Sequence, residues 1–145
     1  MKQLFVYLFA FIALGIFILT SCKKEPTPDY SGVYSGQLTD ANTGYAGIPD
    51  NMTVSKGGTT STINVLDNNS GENIVFTLGP SIVSGGTTNT SISVNNAILK
   101  VGGATSLYSG TGSLTSVTGN SITITTLAFT LTDTGGDAYS FSGTN

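Results

Sequence analysis

From residue 31 onward, apolar and polar residues alternate with a period of two. No window after residue 30 repeats apolar residues at the i, i+3, i+4, i+7 spacing of an amphipathic helix. Clusters of Gly, Asn, Ser and Asp punctuate the alternation, and these residues favour turns. The pattern predicts about eight strands. The first covers 32–39, with Tyr34, Gly36 and Leu38 on one face, and a loop containing Gly44, Gly47 and Pro49 follows. Strand two, 51–56, turns Met52 and Val54 inward, and strand three, 60–67, does the same with Ile63 and Val65. Strand four, 72–79, aligns Ile74, Phe76 and Leu78 and ends at Gly79-Pro80.

Strand five, 89–101, carries Ile92 and Val94 on one face, with a bulge or tight turn expected at Asn95-Asn96. Strand six, 106–117, aligns Tyr108, Gly110, Gly112 and Leu114. In strand seven, 120–132, Ile122 and Ile124 share one parity while Leu127, Phe129 and Leu131 share the other. One extra residue near Thr125-Thr126 would join them into one inner face. Strand eight, 137–143, turns Tyr139 and Phe141 inward. Hairpin-length connections make sequential neighbours pair, so the expected fold is an all-β antiparallel meander. Long twisted strands in such a meander remove their edges by closing into a small barrel. Tyr34, Leu38, Met52, Val54, Phe76, Tyr108, Phe129, Tyr139 and Phe141 would then converge inside, either as a packed core or as the lining of a ligand cavity. Gly36, Gly110 and Gly112 on the apolar face permit strong coiling or leave room inside.

The segment before this domain is different. Lys2 precedes an apolar run from Leu4 to Leu19, which holds four of the seven Phe. About 16 residues at 1.5 Å rise span roughly 24 Å, short of the ~30 Å hydrocarbon core, so a cleaved secretory signal is expected over 1–21 rather than a membrane span. The run ends in Leu19-Thr20-Ser21-Cys22, which resembles the lipobox of bacterial lipoproteins, and Cys22 is the single cysteine of the chain. That resemblance implies lipidation of the Cys22 thiol, cleavage before it and acylation of the new amino group. Two or three acyl chains anchor stably where one is marginal. Lys23-Lys24-Glu25-Pro26-Thr27-Pro28-Asp29 reads as an extended tether, giving a lipidated tether over 22–30 and a barrel domain over 31–145. The phrase SCKKE resembles the start of lipoproteins of the Bacteroidetes group, which implies an outer-membrane anchor facing the periplasm or the cell surface.

GVYSGQLT at 32–39, LYSGTGSLT at 107–115 and YSFSGT at 139–144 also look like phrases of the small calycin-like, lipocalin-related lipoproteins of that group. The resemblance implies a small barrel that binds a lipid-like molecule and carries no fixed catalytic motif. Tyr34 stands where the lipocalin Gly-x-Trp start has its Trp.

Composition narrows the chemistry. The chain of 145 residues has no His and no Trp, and its five cations are all Lys against eight acids. Without His there is no Ser-His-Asp triad, no Cys-His pair and no imidazole metal site, and one Cys gives neither a disulfide nor a cysteine zinc site. An acidic chain without Arg is not expected to bind nucleic acid. Removal of residues 1–21 leaves a domain about one-third hydrophobic and more acidic still.

Asp133-Thr134-Gly135-Gly136-Asp137 resembles the Asp-Thr-Gly turn of aspartic proteases, but those need two such carboxylates; a Gly-Gly hairpin accounts for the same residues. Asp67, Asn69 and Gly71 alternate like the opening of a calcium loop, yet Glu72 stands where the EF-hand needs Gly, so a surface hairpin is expected. Asp40 and Asp50 bracket a loop and read as solvated acids rather than a glycosidase pair. Lys56 and Lys100 read as turn lysines, so no Ser-Lys nucleophile is expected. No catalytic residue, metal or cofactor is therefore expected. The expected partners are the membrane, through Cys22, and a small hydrophobic ligand inside the barrel. The competing reading is a non-enzymatic interaction or structural module with a filled core, its protein partner unknown. An integral outer-membrane barrel is disfavoured because Ser109, Thr111, Ser113 and Thr115 cannot form a lipid-facing band.

Overall fold

The computed structural model describes residues 28–145 except 42, 43 and 102, and of Tyr45 and Val101 the backbone alone. The expected signal, Cys22 and the expected tether as far as residue 27 lie outside the described residues. Eight antiparallel strands follow one another around a closed barrel: β1 (Gly32–Asp40), β2 (Tyr45–Lys56), β3 (Thr62–Asp67), β4 (Asn73–Ser84), β5 (Thr87–Val101), β6 (Ala104–Gly119), β7 (Ile122–Asp133) and β8 (Ala138–Thr144). β1 closes the barrel by pairing with β8, from Ser35 opposite Thr144 to Asp40 opposite Tyr139. Each strand sends alternate residues inward, with the parity changing at a bulge in β5 between Ile92 and Leu99, and the inner residues form one buried cluster. The expected meander, its closure and the inward faces of Tyr34, Ile63, Phe76, Tyr108 and Phe141 all stand in this architecture.

Three differences from the sequence reading share a cause: Gly47, Pro49 and Gly79-Pro80 lie inside strands rather than at their ends. β2 begins at Tyr45, because Ala46 and Gly47 together face Thr39 as a bulge and Gly47 takes φ 64°. Pro49 continues the strand, where β2 has no β3 partner on its other side and a missing N–H is tolerated. β4 does not stop at Gly79-Pro80. Those two residues oppose Ser91 as a bulge, and the strand runs on to Ser84. In contrast, the bulge expected near Thr125-Thr126 is absent, since β7 keeps unbroken register with β6 from Ile122 to Asp133. Its inner face is Thr125, Leu127, Phe129 and Leu131, and Ile122 and Ile124 point outward into solvent. The irregularity at Asn95-Asn96 is a bulge, with both residues opposite Ser109 and Asn96 at φ 55°.

The inner-face glycines answer to coiling. A methyl group on Gly36 would overlap the carbonyl oxygen of Ser142, and one on Gly110 that of Thr130. On Gly112 it would sit 2.6 Å from Cβ of Phe129. The neighbouring strand's backbone occupies the space that a side chain would need, so these glycines allow tight strand approach rather than leaving a void.

The strand order gives the barrel two distinct ends. Residues 28–31 enter at one, with the turns 57–61, 85–86 and 120–121; this is the tether end. The other carries the β1–β2, β3–β4, β5–β6 and β7–β8 connections. Six of the seven described acids (Asp40, Asp50, Asp67, Glu72, Asp133 and Asp137) gather toward this acid end, where Lys100 is the accompanying cation.

Candidate functional site

All nine residues expected to converge inside do so, each with at most 7% of its surface exposed. Their rings stack across the axis. The Phe129 centroid lies 5.1 Å from that of Phe76, 6.2 Å from that of Tyr139 and 6.0 Å from that of Phe141. Tyr108 meets Tyr139 edge-on at 6.5 Å. Ile63, Val65, Ile74, Ile92, Leu99, Leu114, Leu127 and Leu131 complete the packing from every strand except β1, β2 and β8. An eight-stranded barrel is just wide enough for side chains to fill, and here they do.

The tether end is closed by a residue that the sequence reading leaves at the end of the tether. Tyr30 is buried, and its hydroxyl shares a 2.5 Å hydrogen bond with Thr90 Oγ1, which also bonds Ser81 Oγ at 2.6 Å. The Tyr34 hydroxyl donates to the Tyr30 carbonyl at 2.8 Å. Burial pushes the Tyr34 hydroxyl up to about 12, against a lowering hydrogen bond with Thr125. The partner that a buried tyrosine hydroxyl requires is thus supplied by the protein. A half-open cleft of about 490 Å³ flanks this plug, between Pro28–Ser31, the turn after Lys56, and Ile63 and Leu78. At its rim Lys56 meets Asp29 at 3.3 Å in a solvent-exposed pair. Hydrogen bonds from Ser31, and then Lys56, hold the Asp29 carboxyl below its ordinary value.

The acid end corrects two expectations. Asp40 and Asp50 are buried rather than solvated, because both occupy inward positions in strands longer than the alternation suggests. Asp67 is buried as well, so the 67–71 turn is a hairpin hung from an interior carboxylate. Its Oδ1 accepts from the backbone amides of Asn69 at 2.8 Å and Ser70 at 2.9 Å, and its Oδ2 accepts from the Tyr139 hydroxyl at 2.7 Å. Burial, and then the bond and charge of Asp67, push the Tyr139 hydroxyl well above the usual tyrosine range. Asp50 uses one oxygen only: Oδ1 accepts from the Asn51 amide at 2.6 Å and from Asn69 Nδ2 at 2.5 Å, while Oδ2 is buried without a partner. Burial raises the Asp50 carboxyl above its ordinary value, and the charge of Asp67 adds to the rise. Asp50 and Asp67 are held by amides and a tyrosine, and among the described residues no group of three or more His, Cys, Asp or Glu is placed to hold a metal ion.

Asp133 anchors the last hairpin, with Oδ1 accepting from the amides of Gly135 at 2.8 Å and Asp137 at 2.9 Å, which is the turn role expected of it. At the two ends of the barrel, sequence reasoning misplaces Tyr30, Asp40, Asp50 and Asp67. The signal for Asp40 and Asp50 was their parity, since 34, 36, 38 and 40 share a face in β1. Comparison with protein-family models, with curated proteins and with solved structures finds no match to this chain.

Proposed function

We propose that the chain is a membrane-anchored lipoprotein held through Cys22, and that its barrel is a non-enzymatic, filled module that works through its surface rather than by carrying a ligand inside. The observation that favours a filled module over an interior binding site is the single buried cluster, in which all nine candidate lining residues contact one another or their neighbours as core. The resemblance to calycin-like lipoproteins is compatible with this reading at the level of barrel and anchor; a lipid-sized interior cavity is the part that the packing argues against. The cleft at the tether end has a volume in the usual range for small-molecule sites.

The test is expression of the full chain with its signal in a Gram-negative host, followed by membrane fractionation and denaturing and native mass spectrometry. Wild type is expected in the membrane fraction, cut before Cys22 and carrying acyl mass there, and Cys22→Ala is expected unacylated and released. A Cys22→Ala protein that stays membrane-bound with acyl groups elsewhere would refute the anchor. An apolar molecule retained stoichiometrically inside the native barrel would refute the filled module.

A further inference from the structure

The tether end carries apolar residues that the core does not use. β4–β5 and β6–β7 run past the Tyr30 plug as two hairpins, and the Thr118 amide donates to the Gly86 carbonyl at 3.0 Å, joining their tips. On this overhang Ile82, Val83, Val117, Ile122 and Ile124 are between 50% and 71% exposed. Register places Val117 opposite Ile124 on the outer face, with Ile122 two residues further toward the tip and Ile82 on the same face two strands away. Ile122 lies three residues beyond Thr125, about 10 Å further along the strand at ordinary rise. Five of the ten large hydrophobic side chains exposed among the described residues therefore stand on one projecting rim, four on its outer face and Val83, opposite Thr88, on its inner face. A contiguous exposed apolar patch marks an interaction surface, whereas scattered single residues do not.

We infer that this rim is the face by which the domain sits on the lipid surface, with Ile122, Ile124 and Val117 entering the headgroup boundary. The inference rests on the anchored reading proposed above, and two placements commit it to lipid. First, the chain enters at the same end. Cys22 precedes Tyr30 by eight residues, which reach about 28 Å at full extension, so an anchor there holds this rim close to the bilayer. Second, charge is sorted along the barrel axis. The tether end of the described chain carries Asp29 paired with Lys56, while six acids stand toward the far end. A negative membrane surface repels that far end and so favours the same orientation. Lys23 and Lys24 of the tether add attraction on the near side.

The chain has no Trp, so a single introduced indole is a clean reporter. Ile122→Trp and Ile98→Trp, the latter at a site 68% exposed toward the acid end, are made in the full acylated protein. Each is reconstituted into phosphatidylethanolamine–phosphatidylglycerol vesicles with acyl chains brominated near the carboxyl group. The Ile122→Trp emission is expected to shift to the blue and to lose most of its intensity to bromine, and the Ile98→Trp emission to keep its position and intensity. Equal exposure of both reporters on acylated, vesicle-bound protein would overturn the docking while leaving the anchor intact. A blue shift at Ile122→Trp without bromine quenching, growing with protein density, would mean that a second copy covers the rim, and would overturn it too. Protein whose mass shows no acyl group on Cys22 would remove the anchored reading and the docking together.

Discussion

Phe129→Ala is the substitution that most directly separates a filled barrel from a hollow one. Phe129 is 3% exposed, and its ring touches those of Phe76, Tyr139 and Phe141 at 5.1–6.2 Å between centroids. Its cross-strand neighbour on β6 is Gly112, which has no side chain to move into the vacated space. The site therefore collapses poorly, and a Phe→Ala truncation in such a core costs about 3–5 kcal/mol. We expect about 4 kcal/mol, because three ring contacts are lost in addition to buried area. For a domain of about 115 residues this corresponds to a fall in Tm of roughly 15 °C. Urea unfolding monitored by circular dichroism reads the free energy. Phe129→Leu, which keeps most of the side-chain volume, should lose on the order of 2 kcal/mol and supplies the measurement if the alanine variant does not fold. An apolar cavity of this kind stays dry and admits benzene, so saturating benzene should raise the Tm of Phe129→Ala and leave wild type unchanged. A loss under about 1.5 kcal/mol for the alanine variant would refute the packed interior, well below the usual range for such a truncation. So would a benzene shift in wild type as large as that in the variant.

Two further substitutions test the acid end. Tyr139→Phe removes the donor at 2.7 Å from the buried Asp67 carboxylate and should cost about 1.5–3 kcal/mol. A double-mutant cycle with Asp67→Asn should return a coupling above about 0.5 kcal/mol, and additivity of the two changes would refute the bond as a stabilising contact. Asp50→Asn addresses the opposite imbalance, a carboxylate whose second oxygen has no partner. Its folded-state value is raised, so the folded protein binds the proton more tightly than the unfolded chain. The Asp50 contribution to stability is then fully present below the ordinary value of 3.8 and is lost as pH rises through the raised value. The Asn carbonyl can keep both bonds now made to Oδ1 without the buried charge. Asp50→Asn should therefore be at least as stable as wild type at neutral pH, with the difference closing in acid. Tm measured against pH for both proteins decides it, and parallel curves would sink the assignment.

What the sequence made legible was whatever depends on neighbours one or two residues apart. Ile63 and Val65, Ile74 and Phe76, and Tyr139 and Phe141 declare a face by alternation alone, and hairpin-length turns between such faces leave little choice but a meander. What was not legible depends on residues far along the chain. Tyr30 sits in a proline-flanked segment that reads as tether, and its burial comes from Thr90, sixty positions away. Asp67 reads as a turn acid until Tyr139, seventy-two positions on, bonds it from inside the barrel. Gly79-Pro80 reads as a stop because a break in one strand's pattern looks the same whether the strand ends or bulges. Only the resumption of pairing at Ser81 with Thr90 distinguishes them.

Ile122 and Ile124 are the misreading with the most consequence. Their parity conflicts with that of Leu127, Phe129 and Leu131, and one inserted residue would bring every apolar residue inward. The register with β6 shows no such insertion, so the conflict is resolved by exposure: the two isoleucines stand outside the barrel, beside Val117. A sequence tuned only for folding has little reason to put isoleucines there, since on a solvated hairpin tip Thr serves the strand as well and keeps the surface polar. Violations of local pattern gather where a surface has a use beyond the fold. Here the violation falls on the end where the chain enters, opposite the acids, and on a rim tied together by Thr118 and Gly86 rather than on a loose loop. The same two residues that spoil the alternation are thus the ones whose exposure the fold leaves unexplained, and the lipid docking proposed above is the reading that would account for it.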